Sequence, residues 1–226
     1  EGHLKSHYLL KIIRSVMDIV NPDMALAIDN PDKRGMGFSY LGSGRDEMQF
    51  IYNEALPALL VHAMLNGNSR RLSRWVLSLE TGSTVTSLLN ASASYDEIDL
   101  RPLEGILPKA SIESLARQAL ENGGSIEYYQ REDGVKAPEK LHVGFLDIMH
   151  KKGDSRELTV KRFMASQALQ AILPGIPTVY LHAFLGSTNY AGPGRGDLAP
   201  WVMSTHESLD MAELIDELMG LIESGE

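Results

Sequence analysis

Short apolar runs set between helical stretches constrain this 226-residue chain more than any other feature. Met24–Ile28, Gln49–Tyr52, Thr84–Leu89 and Val179–Phe184 are each four to six residues long. The continuous run Met24–Ile28 has the signature of a strand buried on both faces, as in a parallel sheet. Helical patterns separate the runs. Leu9, Ile12, Ile13, Val16, Met17 and Val20 recur at helical spacing and form one apolar face. Asn21-Pro22 stops that helix, because proline cannot continue it and restricts the residue before it. Helix is predicted again over 57–65 and from 68 to 79. A further helix, capped by Asp154 or Ser155, passes Phe163, Ala168 and Ala171 and ends at Pro174-Gly175. The tail from Ser208 to Ile222 reads as an amphipathic helix with Leu209, Leu214, Leu218 and Ile222 on one side.

The order is therefore α-β-α-β-α-β-(insertion)-α-β-α, and alternation of this kind predicts an α/β fold with a parallel sheet under helices. About four βα units make half of a closed eight-stranded barrel, which takes about 250 residues. The expected fold is a partial (β/α)8 TIM barrel over residues 1–226, holding about the last four βα units. A long insertion, 97–155, follows the third strand, and a linker with a C-terminal helix fills 193–226. The insertion is far longer than an ordinary βα loop. Within it Ser111–Leu120 reads as a helix closed by Gly123-Gly124, and Leu141–Ile148 fits strand or helix. A half-barrel has two open sheet edges and an uncovered core face, so self-association is expected. The chain opens on Glu1, with helical periodicity a few residues later. It is expected to be a piece of a longer one.

Composition narrows the function classes. The net charge of −9 and pI near 5.3 exclude nucleic-acid binding by bulk attraction, which needs a basic surface. With no cysteine, disulfides, thiolate catalysis and cysteine-ligated zinc are ruled out. That is compatible with a cytoplasmic location. No apolar run reaches the roughly 18 residues of a membrane span, and the N-terminus has no signal-peptide pattern. His3 and His7 share a helix face but have no third ligand, so no metal is expected. Gly35–Gly44 contains a G-x-G but lacks the strand–helix setting of a dinucleotide site, and no cofactor is expected.

The segment Thr86–Pro108, TSLLNASASYDEIDLRPLEGILP, carries the chemistry. Its apolar run ends by delivering Tyr95, Asp96, Glu97 and Asp99 together, before Arg101-Pro102 turns the chain away. Barrel enzymes place catalytic carboxylates at the C-terminal ends of strands, although Asp also ends strands as an ordinary turn residue. Arg101, Arg131 and Arg195 all follow predicted strand ends, on the face a phosphate would approach.

These residues resemble the sucrose-phosphorylase-like branch of the α-amylase superfamily. In that branch a strand ends in His-Asp and leads into a segment close to "LRP-EGILP". Ser39–Leu65 (SYLGSGRDEMQFIYNEALPALLVHAML) is similar to its "SYFG…EAQ-VYNFALPPLVLHA". Asn21–Asn30 (NPDMALAIDN) looks like its fifth barrel strand, and Ile172–Ser187 (ILPGIPTVYLHAFLGS) like its passage into the last strand. The resemblance implies an (α/β)8 barrel and transfer of an α-glucosyl group, with retention, from sucrose or a related α-glucoside to inorganic phosphate or another acceptor. One carboxyl protonates the leaving oxygen while a carboxylate about 5–5.5 Å away attacks the anomeric carbon.

Carried over by position, Asp96 is the carboxylate that grips sugar hydroxyls in the transition state. Asp29 stands where the family has its acid/base Glu, one methylene shorter. Tyr95 replaces a sugar-contacting His, and Arg101 and Arg195 join it as candidate substrate contacts. The family's nucleophile strand would precede Glu1, and its basic stretch after the last strand is replaced by Pro200–Ser208. Two functions stay open. One is the C-terminal portion of a retaining glycoside phosphorylase. The other is an inactive, truncated remnant that only binds sugar or packs with another half-barrel.

Overall fold

The computed structural model describes residues 2–28, 36–79, 85–92, 97–131, 134–184 and 186–189. The chain divides into two compact units, Glu1–Asn189 and Tyr190–Glu226. The second unit, with the expected linker and terminal helix of 193–226, lies outside the described residues.

In the first unit, α1 (Gly2–Val20) leads to β1 (Ala27–Ile28), a 3-10 segment (Met36–Leu41) and β2 (Phe50–Tyr52). Two helices follow, α2 (Ala55–Asn66) and α3 (Arg70–Ser78), and then β3 (Ser87–Ala91). The stretch after β3 contains β4 (Glu97–Asp99), a 3-10 turn (Arg101–Leu103), α4 (Lys109–Glu121), β5 (Ser125–Gln130), β6 (Lys136–His142) and α5 (Phe145–Ile148). The unit closes with α6 (Arg156–Ile172), β7 (Ile176–Thr178) and the helical turn α7 (Leu181–Phe184).

The α/β class and the parallel sheet expected from the sequence are both present. Strand order is β1-β2-β3-β7, with every neighbour parallel and Ile51 opposite Leu88, Asn90 opposite Pro177. Side chains alternate across a strand. Ile51 and Leu88 are buried together with Leu41, and Ile28 and Leu79 pack beside them. The alternate residues Phe50, Tyr52, Ser87, Leu89 and Ala91 stay half-buried. One face of the sheet is closed and the other is partly open.

Three local expectations change. Met24–Ile28 narrows to the two residues of β1, with Met24 exposed, because an edge strand has a neighbour on one side only. The run Val179–Phe184 is not a strand. The strand is Ile176–Thr178, paired with Leu89–Ala91, and the chain then turns into α7. Among the described residues β7 is the last strand of its sheet, a position where a proline is tolerated.

The third change concerns α1, whose apolar face is turned to solvent. Leu9, Ile12, Val16 and Val20 are exposed, whereas Arg14 is only 3% exposed. The helix docks through charge. His7 Nδ1 lies 2.6 Å from Glu47 Oε2 and Lys11 Nζ 2.9 Å from Asp46 Oδ2. Arg14 Nη1 donates to Met24 O at 2.6 Å and to Gln49 Oε1 at 3.2 Å. Asp46 is held below the usual carboxylate range by its hydrogen bonds to Lys11 and Ser43.

The stretch expected as a loop and helix excursion is a folded layer. Its strands form an antiparallel sheet in the order β4-β6-β5. Ile98 pairs with Leu141, and Leu141 with Ile126. These residues share the main core with Leu115 and Ala119 of α4, Phe145 and Ile148 of α5, and Leu56, Leu59 and Leu60 of α2. A helix buried on nearly all sides must be apolar all round, and α2 (ALPALLVHAMLN) is. The expected helix at Ser111–Leu120 is α4, and Gly124 after it is obligatory. A Cβ there would stand 2.6 Å from His142 O and 2.8 Å from Val143 Cβ. Ser155 is the cap of α6, its Oγ accepting from Leu158 N at 3.2 Å.

Candidate functional site

Because β1, β2, β3 and β7 are parallel, their C-terminal ends lie along one rim of the sheet. Asp29 directly follows β1, and Tyr95 and Asp96 precede β4. These three residues and Arg195 lie outside the described residues. What the structure does define is the framework on either side of them.

The strand that leads to Asp96 is tied down by amides. Asn90, fully buried in β3, accepts from Asn53 Nδ2 at 2.8 Å. Its own Nδ2 donates to Pro174 O at 3.1 Å. Gln170 of α6 donates from Nε2 to Asn90 O at 2.9 Å and to Thr178 O at 2.8 Å. Three sequence-distant elements, β2, β3 and the α6–β7 connection, therefore share one amide network on the closed side of the sheet. Gly175 permits it, since a Cβ would lie 2.7 Å from Asn90 Nδ2, and its φ of +133° suits glycine. Sequence reasoning passed over these residues. The signal was a lone Asn inside the strand run SLLNA, because a buried amide must find partners.

On the far side of Asp96, Glu97 is anchored at once. Lys140 Nζ lies 2.8 Å from Glu97 Oε2, and His142 Nδ1 lies 3.5 Å from Glu97 Oε1. His142 Nε2 meets Glu127 Oε1 at 2.8 Å. Hydrogen bonding to Glu97 raises the Lys140 ammonium above its ordinary value. Asp99, two residues on, accepts from Arg101 N at 2.8 Å. Burial pushes its carboxyl up, and the nearby Lys140 and Arg101 charges only partly oppose this.

Arg101 is the one candidate substrate contact that falls among the described residues. Its Nη1 donates to Glu139 Oε1 at 2.8 Å, and its guanidinium lies 4.4 Å from the centroid of the Tyr129 ring. Tyr129 donates its hydroxyl hydrogen to Glu104, which also pairs with Arg131 Nη2 at 3.1 Å. Both arginines staple the Arg101–Glu104 turn to the antiparallel sheet. In this arrangement the charge of each already faces a carboxylate. Among the described residues no cluster of His, Asp or Glu suits a metal ion, and no helix is long and apolar enough to cross a membrane.

No protein-family model matches the chain. It is similar to the glucosylglycerate phosphorylase of Escherichia coli (strain K12), with 32% identity over 189 residues, covering 83% of this chain and 34% of that protein. The glucosylglycerate phosphorylase of Allomeiothermus silvanus is 34% identical over 194 residues, covering 84% of this chain and 35% of that one. Among solved structures, sucrose 6F-phosphate phosphorylase from Thermoanaerobacter thermosaccharolyticum shares the fold at a TM-score of 0.59 and 17% identity, covering 74% of this chain and 32% of that chain. The chain thus spans about a third of the length of the relatives it matches. This chain is therefore a sequence relative of glycoside phosphorylases over more than four-fifths of its own length, and its parallel α/β sheet shares a fold with sucrose 6F-phosphate phosphorylase.

Proposed function

We propose that this chain is the C-terminal portion of the catalytic barrel of a retaining glycoside phosphorylase, with the rim of β1, β2, β3 and β7 forming part of a glucosyl-binding site. The observation that carries this is the position of Asp96 in the sequence. It follows the anchored strand β3 and precedes the anchored residue Glu97, where a barrel enzyme keeps its chemistry. The donor is an α-glucoside such as glucosylglycerate, the substrate in the names of the relatives above, or sucrose. The acceptor is inorganic phosphate.

The reaction breaks the bond between the anomeric carbon and the leaving oxygen, and a carboxylic acid gives that oxygen its proton. A carboxylate holds the glucosyl group as an ester until a phosphate oxygen displaces it, returning α-glucose 1-phosphate. Within this scheme Asp96 accepts hydrogen bonds from sugar hydroxyls and stabilises the oxocarbenium-like transition state. Asp29 occupies the proton-donor position, its side chain one methylene shorter than glutamate. A catalytic group displaced by about 1 Å can lose roughly a hundredfold in rate. Tyr95 lines the sugar and Arg101 stands on the acceptor side; Arg195 is a candidate substrate contact by sequence position alone. The attacking carboxylate is not among these assignments.

Two measurements test the proposal. Saturation-transfer NMR of the 226-residue chain with glucosylglycerate or sucrose is expected to show contacts to the glucosyl ring that Asp96→Asn abolishes. Contacts unchanged in Asp96→Asn, or none with either donor, refute the site. The same chain incubated with donor and phosphate is expected to release no glucose 1-phosphate. Steady release would place the attacking carboxylate inside these residues and overturn the assignments.

A further inference from the structure

We infer that Lys140 and His142 are positioning residues for Asp96: acting through Glu97, they fasten the first residue of β4 to the fixed end of β6 and so hold the adjoining carboxylate in register with the glucosyl group. This role presupposes the sugar-binding reading of Asp96 above. Glu97 directly follows Asp96, so whatever moves one moves the other. Glu97 faces His142 at the end of the β4–β6 ladder, and Asp99 faces Lys140. Leu100 N donates to Glu139 O at 2.8 Å, and bonded pairs alternate along an antiparallel ladder. Glu97 and His142 therefore form a non-hydrogen-bonded pair, in which facing side chains come closest. Strand ends are where a ladder opens most readily. At this end side chains fasten it.

The two strand ends differ in how firmly they are held. On β6, Val143 is fully buried and Gly144 N donates to Asn189 Oδ1 at 2.6 Å. A Cβ on Gly144 would stand 2.9 Å from Asp147 Oδ2 and 3.0 Å from Ser187 O, so the backbone there has no slack. By contrast, β4 is an outer strand of its sheet. Glu97 reaches to the firm side twice, to Lys140 Nζ at 2.8 Å and toward His142 Nδ1 at 3.5 Å. His142 in turn meets Glu127 Oε1 of β5 at 2.8 Å, so its ring links all three strands. The Lys140 ammonium is raised chiefly by its bond to Glu97, and Asp99 and Glu127 add to the effect. Three carboxylates thus surround two basic side chains, and this face neutralises itself instead of recruiting an anionic ligand. Without the clamp only a fraction of molecules holds Asp96 in place, and apparent affinity falls by that fraction.

The test titrates the 226-residue chain with sucrose, followed by saturation-transfer NMR. Sucrose is uncharged, so loss of Lys140 cannot act through attraction to the donor. Lys140→Met or His142→Phe is expected to weaken binding about threefold to fivefold, the upper range for an ion pair of this exposure. Lys140→Arg keeps the charge and should bind as the wild type does. Glu97→Met should lose at least as much as either, and adding Lys140→Met to it should cost nothing further, because coupled partners are non-additive. None of these variants should lower the unfolding temperature by more than about 4 °C; a larger fall would mark the cluster as structural and overturn the positioning role. Wild-type affinity in Lys140→Met also overturns it. So do losses that add in Lys140→Met/Glu97→Met, since Lys140 would then touch the sugar itself. Asp96→Asn separates this role from the site it serves. If Asp96→Asn abolishes the sucrose contacts while Lys140→Met leaves them, the positioning role alone fails. If Asp96→Asn leaves them, the sugar site fails and the positioning role with it.

Discussion

Replacing Asn90 with alanine is expected to remove a large share of the unit's stability although no apolar contact of note is lost. Asn90 is fully buried, holds Asn53 Nδ2 at 2.8 Å and donates to Pro174 O at 3.1 Å. Alanine leaves Asn53 Nδ2 buried without a partner, which costs about 1–3 kcal/mol. Pro174 is exposed, so its carbonyl is rescued by water and contributes about 1 kcal/mol. The total is about 2–4 kcal/mol, a sizeable fraction of the 5–15 kcal/mol typical of a domain. Urea unfolding at fixed protein concentration measures it as a shift in midpoint at constant slope. The double variant Asn53→Ala/Asn90→Ala removes both partners together, so its cost should fall short of the summed singles by about 1 kcal/mol. A loss below 1 kcal/mol for Asn90→Ala, or strict additivity with Asn53→Ala, would refute the network's role in tying β3 to β2 and to the α6–β7 turn.

Other consequences are simpler to read. Asp99 has a raised folded carboxyl pKa, so the folded state retains a proton that the unfolded chain has released above its ordinary value of 3.8. Stability therefore falls as pH rises from that value through the folded pKa. Asp99→Asn keeps the acceptor for Arg101 N, so it should unfold at a higher temperature than the wild type at pH 7. That advantage should shrink as pH is lowered toward 3.8; an advantage independent of pH would contradict the burial argument. Phe145→Ala empties a fully buried site beside Phe163, whose ring centroid is 6.2 Å away at 63°. It should cost about 3–5 kcal/mol by urea denaturation. Ser155→Ala deletes the acceptor for Leu158 N and should cost about 1 kcal/mol, with Ser155→Asp restoring most of it.

Helices were the most legible part of the chain because their signals are local. The glycine closure after α4 and the serine cap of α6 each lie within one turn of their helix. Strands β2 and β3 were readable to within a few residues for the same reason, and their alternation with helices was enough for a parallel sheet. The final strand was misplaced because its limits are set by β3, whose last paired residue is Ala91. Nothing near Val179 records where a partner more than eighty residues earlier stops.

Among the candidate site residues, sequence position alone singled out Asp96, Tyr95, Asp29 and Arg195. The structure speaks to Arg101, engaged with Glu139 and Tyr129. The amide network and the Glu97–Lys140–His142–Glu127 cluster could not be read in advance, since each joins residues tens of positions apart. The sequence by itself determined where the longer helices lie and that short strands alternate with them, because caps and periodicity act over a few residues. Only the tertiary structure decided that the stretch after β3 builds its own sheet and that α1 sits with its charged side inward. Burial is a property of pairs of segments, and one segment's periodicity says only that two faces differ, not which of them finds a partner.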